Sequence, residues 1–91
     1  MQAARRFVVK GRVQGVGYRY FAIRAAAQTG VAGTVRNLPD GSVEAIAEGT
    51  DEAIAGFRRE LTRGPSYSQV TSVEEAPLEP TGRYHGFNVV Y

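Results

Sequence analysis

Between Phe7 and Arg19 the chain changes its periodicity, and no other stretch limits the fold as tightly. Phe7, Val9, Gly11 and Val13 alternate with Arg6, Val8, Lys10 and Arg12. A period of two predicts a strand over residues 5–13, with one face on a core and a partly polar opposite face. Gly15 and Gly17 break the alternation, and helical spacing starts at Tyr18 or Arg19. A strand, a glycine-punctuated turn and a helix start make an anion cradle. Glycines let successive backbone N–H groups turn inward, and the helix N-terminus adds partial positive charge. Arg19 contributes a permanent cation whose fork matches phosphate oxygens. The same residues also make a plain tight turn with Arg19 in water. The glycine spacing is not that of the dinucleotide fingerprint, and the Gly-Lys-Ser/Thr of a nucleotide P-loop is absent.

The remaining pattern supplies the partners of this unit. Residues 19–29 read as a helix with Tyr18, Phe21, Ala22, Ala25 and Ala26 on one stripe and Gly30 as its stop. Residues 31–38 read as a strand interrupted at Gly33. Leu38-Pro39-Asp40-Gly41 gives hairpin chemistry, leading into a strand over 42–48. Thr50 or Asp51 caps a second helix that runs to about Arg63, with Ile54, Phe57 and Leu61 as its buried stripe. Gly64-Pro65 ends it. Residues 69–75 form a fourth strand, an irregular link with Pro77, Pro80 and Gly82 follows, and 87–91 return as a short strand. The order predicts an α+β, ferredoxin-like split βαβ sandwich: an antiparallel sheet with two helices on one face. Residues 1–91 fit one small domain.

Composition narrows the chemistry. An apolar share of 43% supports a packed core. With no cysteine there is no disulfide framework, thiolate nucleophile or Cys-type zinc site. No apolar run reaches the length of a membrane span, and residues 1–9 lack the long apolar stretch of a signal peptide. A cytoplasmic monomer is the expectation. The formal net charge of +2 is only a mild bias toward anionic partners.

A second informative stretch runs from Gly33 to Gly41. Asn37 stands at the end of a strand just before the hairpin. Its amide both accepts and donates, so it can hold a water by two contacts, or it can bond its own backbone as turn asparagines commonly do. Other residues are weaker candidates. His85 is the only histidine and lies in a Gly/Tyr-rich link. Asp51 and Glu52 suit a helix N-terminus. Glu74 and Glu75 are strand neighbours that point to opposite faces. No His/Asp/Glu group has convincing metal-ligand spacing, and no metal or cofactor is expected. Ser66 and Ser68 lack a sequence neighbour that would activate them.

Val9-x-Gly11-x-Val13-Gln14-Gly15-Val16-x-x-Arg19 resembles the first signature of the acylphosphatase family, with Tyr18 where phenylalanine is common. Gly33-x-Val35-Arg36-Asn37, followed by Gly41, Val43 and Gly49, resembles its second motif. Thr34 stands where an aromatic residue is common, and Leu38 where animal members can carry a hydroxyl residue. The resemblance implies hydrolysis of small-molecule acyl phosphates to a carboxylate and inorganic phosphate. Arg19 and the backbone of Gln14, Gly15, Val16, Gly17, Tyr18 and Arg19 would hold the phosphoryl group, and Asn37 would orient the attacking water. The residue inventory is compatible with this: a carboxylate leaves without strong acid help, so positioning and charge stabilisation suffice. Two other readings compete. An RNA-recognition module would need aromatic residues on its central strands, and 42–48 has none. A regulatory module without turnover would not need Arg19 and Asn37. Neither a nucleic-acid nor a membrane partner is expected.

Overall fold

The computed structural model describes residues 2–91. Seven elements follow in order: β1 (Gln2–Arg12), α1 (Tyr18–Thr29), β2 (Ala32–Asn37), β3 (Val43–Thr50), α2 (Asp51–Arg63), β4 (Gln69–Leu78) and β5 (Phe87–Val89). They build one five-stranded sheet, ordered β4-β1-β3-β2-β5. The first four strands of that order pair antiparallel, as the sequence pattern predicts. β5 pairs parallel with β2 instead, from Gly33↔Phe87 to Val35↔Val89. Strand bounds move by a few residues: β1 starts earlier than predicted, β4 runs on through Pro77, and β5 is shorter. Pro77 is tolerated because β4 is an edge strand.

Both helices cover the same sheet face. Phe7, Val9, Val35, Val43, Ala45 and Ala47 rise from the strands, and Tyr18, Ala22, Ala25, Ala26, Ile54, Phe57 and Leu61 descend on them. Phe57 sits at the centre, edge-on to Phe7 at 6.0 Å and to Phe87 at 5.4 Å between ring centroids. Truncating it to alanine removes contacts worth about 3–5 kcal/mol. Gly33, at φ 151°, lies against β3, and a Cβ there would sit 1.7 Å from the Ile46 carbonyl oxygen. No helix among the described residues is long and apolar enough to cross a membrane.

The opposite face departs from a simple polar surface. Val8, Glu44 and Glu48 are buried on it. Glu44 is clamped by Arg6 Nε at 2.7 Å and Arg36 Nε at 2.8 Å. Glu48 accepts from Thr81 N at 2.8 Å, Thr81 Oγ1 at 3.0 Å and Gly82 N at 3.0 Å. These bonds anchor the link that carries the chain from β4, at one sheet edge, to β5, at the other. Burial works against ionisation of Glu48, but the three donors outweigh it and hold its carboxyl below the usual range.

Candidate active site

Beyond Arg12 the chain leaves the sheet and turns through residues 14–17 into α1. Gly15 (φ 74°) and Gly17 (φ 80°) are left-handed, while Val16 between them keeps a negative φ. A side chain in that conformation costs about 1–2 kcal/mol. The alternation aims neighbouring N–H groups to one side. The first N–H of α1 to meet a backbone acceptor is that of Phe21, on Gly17 O at 3.0 Å. Among the described residues, no protein acceptor meets the N–H groups of Gly15 to Arg19. Gly17 caps α1 without a side-chain bond, and the first turn holds no acid. These donors are therefore available to an anion.

Gly15, Gly17, Tyr18 and Arg19 line a cavity of about 310 Å³. Gly15, Gly17, Arg19 and Asn37 contribute polar groups to its lining, and Val13, Tyr20, Ile23, Val89 and Tyr91 make much of its wall. Among the described residues, no Asp, Glu or His lines it. Arg5, Arg6, Arg36, Arg58 and Arg63 each meet a carboxylate, whereas Arg19 meets none among the described residues. Its Cζ stands 5.6 Å from the Tyr91 ring centroid. A guanidinium in the first turn of a helix faces the positive end of the dipole, an arrangement an incoming anion relieves.

Asn37 closes β2 opposite Val43, and its side-chain amide has no hydrogen-bond partner among the described residues. The turn role open to asparagine is filled by Asp40. Its Oδ1 accepts from Ser42 Oγ at 2.5 Å and Ser42 N at 3.0 Å, which holds the Asp40 carboxyl below its usual range. The hairpin is thus completed without Asn37, whose amide stays free at the cavity.

The residues assigned to the cradle from the sequence divide. Gly15, Gly17, Tyr18 and Arg19 reach the cavity; Gln14 and Val16 do not line it. Val16 packs against the core. The Gln14 amide turns to the hairpin, where Nε2 donates to Leu38 O and Ser42 O, both at 2.8 Å. Tyr18 lines the cavity yet buries its ring, and its hydroxyl donates to Leu61 O at 2.5 Å. Burial pushes that phenol above its ordinary range.

Glu74, Glu75 and Ser68 have structural partners. Glu74 pairs with Lys10 at 3.0 Å, and Glu75 with Arg58 at 2.6 Å. Ser68 Oγ donates to Pro65 O. The sequence reading missed the wall residues. Tyr20 and Ile23 carry a local signal: they are apolar, three apart on α1, and lie off its buried stripe. Val89 and Tyr91 carry none, because their place depends on β5 running beside β2.

The acylphosphatase family model matches residues 5–89. An acylphosphatase of Thermus thermophilus is 49% identical over 82 residues, spanning 90% of this chain and 92% of the relative. One of Solibacter usitatus is 48% identical over 86 residues, spanning 94% and 88%. The crystal structure of acylphosphatase from Bacillus subtilis superposes over 100% of both chains with a TM-score of 0.93 at 38% identity.

Proposed function

Because this chain belongs to the acylphosphatase family, enzymes that hydrolyse acyl phosphates, we propose that its chemistry is carried by Arg19, the amides from Gly15 to Arg19, and Asn37. The observation that carries the assignment is that residues with unclaimed N–H groups (Gly15, Gly17, Tyr18 and Arg19), an unpaired guanidinium and an unpaired amide line one cavity. The amides and Arg19 bind the phosphoryl oxygens and neutralise charge that spreads over them as the bond to the acyl oxygen lengthens. Asn37 accepts from a water with its carbonyl and fixes that water in line with the departing group. The water oxygen bonds to phosphorus as the phosphorus–acyl oxygen bond breaks. Its electron pair leaves with the carboxylate, and the water proton departs with phosphate or to solvent. A carboxylate is a weak base, so no general acid is required.

Hydrolysis of acetyl phosphate in ¹⁸O-water tests the route. The label is expected in phosphate; label in acetate would place attack at the carbonyl carbon and overturn the proposal. Asn37→Ala should lower kcat by about a hundredfold, on the scale of one lost transition-state contact, with the affinity for inorganic phosphate little changed.

Residues 1–91 acting as one domain, a monomer and a cytoplasmic enzyme belong to the same proposal. Both helices and all five strands share one core. A single unfolding transition and a monomer mass in solution check the first two. Nucleic acid is a poor fit to the open sheet face, where β3 offers Glu44, Ile46 and Glu48 in place of stacking rings.

A further inference from the structure

From β1 pairing with β3, the last matched residues are Val9 and Val43. Past that point β1 stays beside β4, with a bulge at Lys10/Gly11, and the 14–17 turn and the 38–42 turn extend beyond the ladder that joins their strands. Yet the site needs one segment from each: the amides after Gln14 and the amide of Asn37. Among the described residues, two hydrogen bonds join those turns, and both come from one nitrogen, Gln14 Nε2 to Leu38 O and Ser42 O at 2.8 Å. The two carbonyls are also the ones that close the hairpin, since Leu38 O accepts from Gly41 N at 3.2 Å and Ser42 O from Leu38 N at 2.8 Å. Asn37 is the residue immediately before Leu38.

We infer that Gln14 is a positioning residue, which sets the distance between the phosphate cradle and the water held by Asn37 without touching substrate itself. The inference rests on the reading of Asn37 given above. The geometry uses both protons of the Gln14 amide and needs the length of this side chain. A carboxylate there would face two carbonyl oxygens, and a shorter amide would fall short of them. Misplacing a reacting group by about 1 Å costs on the order of a hundredfold in rate, so a loosened brace acts on turnover. The cradle amides and Arg19 lie on the Gln14 side of the brace, so phosphate binding should survive its loss.

The test is a double-mutant cycle of Gln14→Met and Asn37→Ala, with acetyl phosphate turnover and inhibition by inorganic phosphate as readouts. Gln14→Met should lower kcat about tenfold while the inhibition constant of phosphate stays within twofold. In the Asn37→Ala background the same change should alter kcat by less than twofold, because nothing remains to position. Losses that multiply, an inhibition constant that rises as far as kcat falls, or a Gln14→Met enzyme of wild-type rate would each overturn the inference. If Asn37→Ala itself turns over at the wild-type rate, the assignment of Asn37 fails first, which is a different result. Should Gln14→Met not fold, Gln14→Asn, which keeps the amide but shortens its reach, takes its place with the same expectations.

Discussion

α2 starts with Thr50, whose hydroxyl accepts from Ala53 N at 3.1 Å, and continues with Asp51 and Glu52. α1 starts with Gly17, which has no side chain to offer, and continues with Tyr18 and Arg19. Both ends present orphan N–H groups and the same dipole. At α2 the chain satisfies them itself, with a cap and two acids. At α1 it leaves them open and adds a cation where the dipole disfavours one. One helix start is finished for stability. The other is left incomplete, as the proposed phosphate site requires.

The contrast is easiest to break at Arg19. Arg19→Ala should lower kcat/KM by about a thousandfold, near 4 kcal/mol in the barrier. Its Tm should hold or rise slightly, since a cation leaves the positive end of α1. Phosphate should raise the Tm of the wild type more than that of the variant. An Arg19→Ala enzyme that kept both activity and phosphate stabilisation would remove the contrast.

Giving α1 the kind of start that α2 has should cost function. A Cβ at Gly17 meets nothing within 4 Å, so Gly17→Asp has room, at the backbone cost of a side chain at φ 80°. Its carboxylate would occupy the amides from within. Phosphate inhibition should weaken about tenfold, measured by competition against acetyl phosphate.

Glu48 sharpens the comparison through the wall that only the α1 site has. It anchors the link leading to Val89 and Tyr91. Its folded-state pKa is depressed, so its contribution is complete above the ordinary carboxylate pKa and is lost as pH falls through the lower folded value. Glu48→Gln should therefore be less stable than the wild type at pH 7, and the gap should close on acidification below about pH 4, where the wild-type carboxyl also protonates. KM for acetyl phosphate should rise a few-fold at neutral pH.

The smallest catalytic effect belongs to the finished end. Thr50→Ala should cost about 1 kcal/mol in denaturant unfolding and leave kcat and KM unchanged. A loss of turnover there would mean that the two helix starts are not separable.

Much of this was legible locally. The stripe Ile54, Phe57 and Leu61, the Thr50 cap and the Gly30 and Gly64 stops all stand where short-range spacing puts them. The open start of α1 was legible too, because two glycines before an arginine can be read from neighbours alone. Gln14 was not. Its neighbours in sequence suggest a cradle residue, and its partners lie 24 and 28 residues away. Asn37 was ambiguous until the fold put Asp40 in the turn role. Val8 and Glu48 alternate with the core positions of their strands, and their burial depends on packing and a link that the local alternation does not describe.

By itself the sequence determined the order of elements, their buried faces and the family to which the chain belongs, since these follow from periods of two and 3.6, from glycine and cap chemistry, and from two short motifs. Tertiary structure alone decided the parallel seat of β5, the apolar wall it brings to the cavity, and the two hairpin carbonyls that the Gln14 side chain meets. The physical reason is range. Backbone preference acts between neighbours, whereas a side-chain amide takes whichever carbonyls the folded chain brings within 3 Å of it.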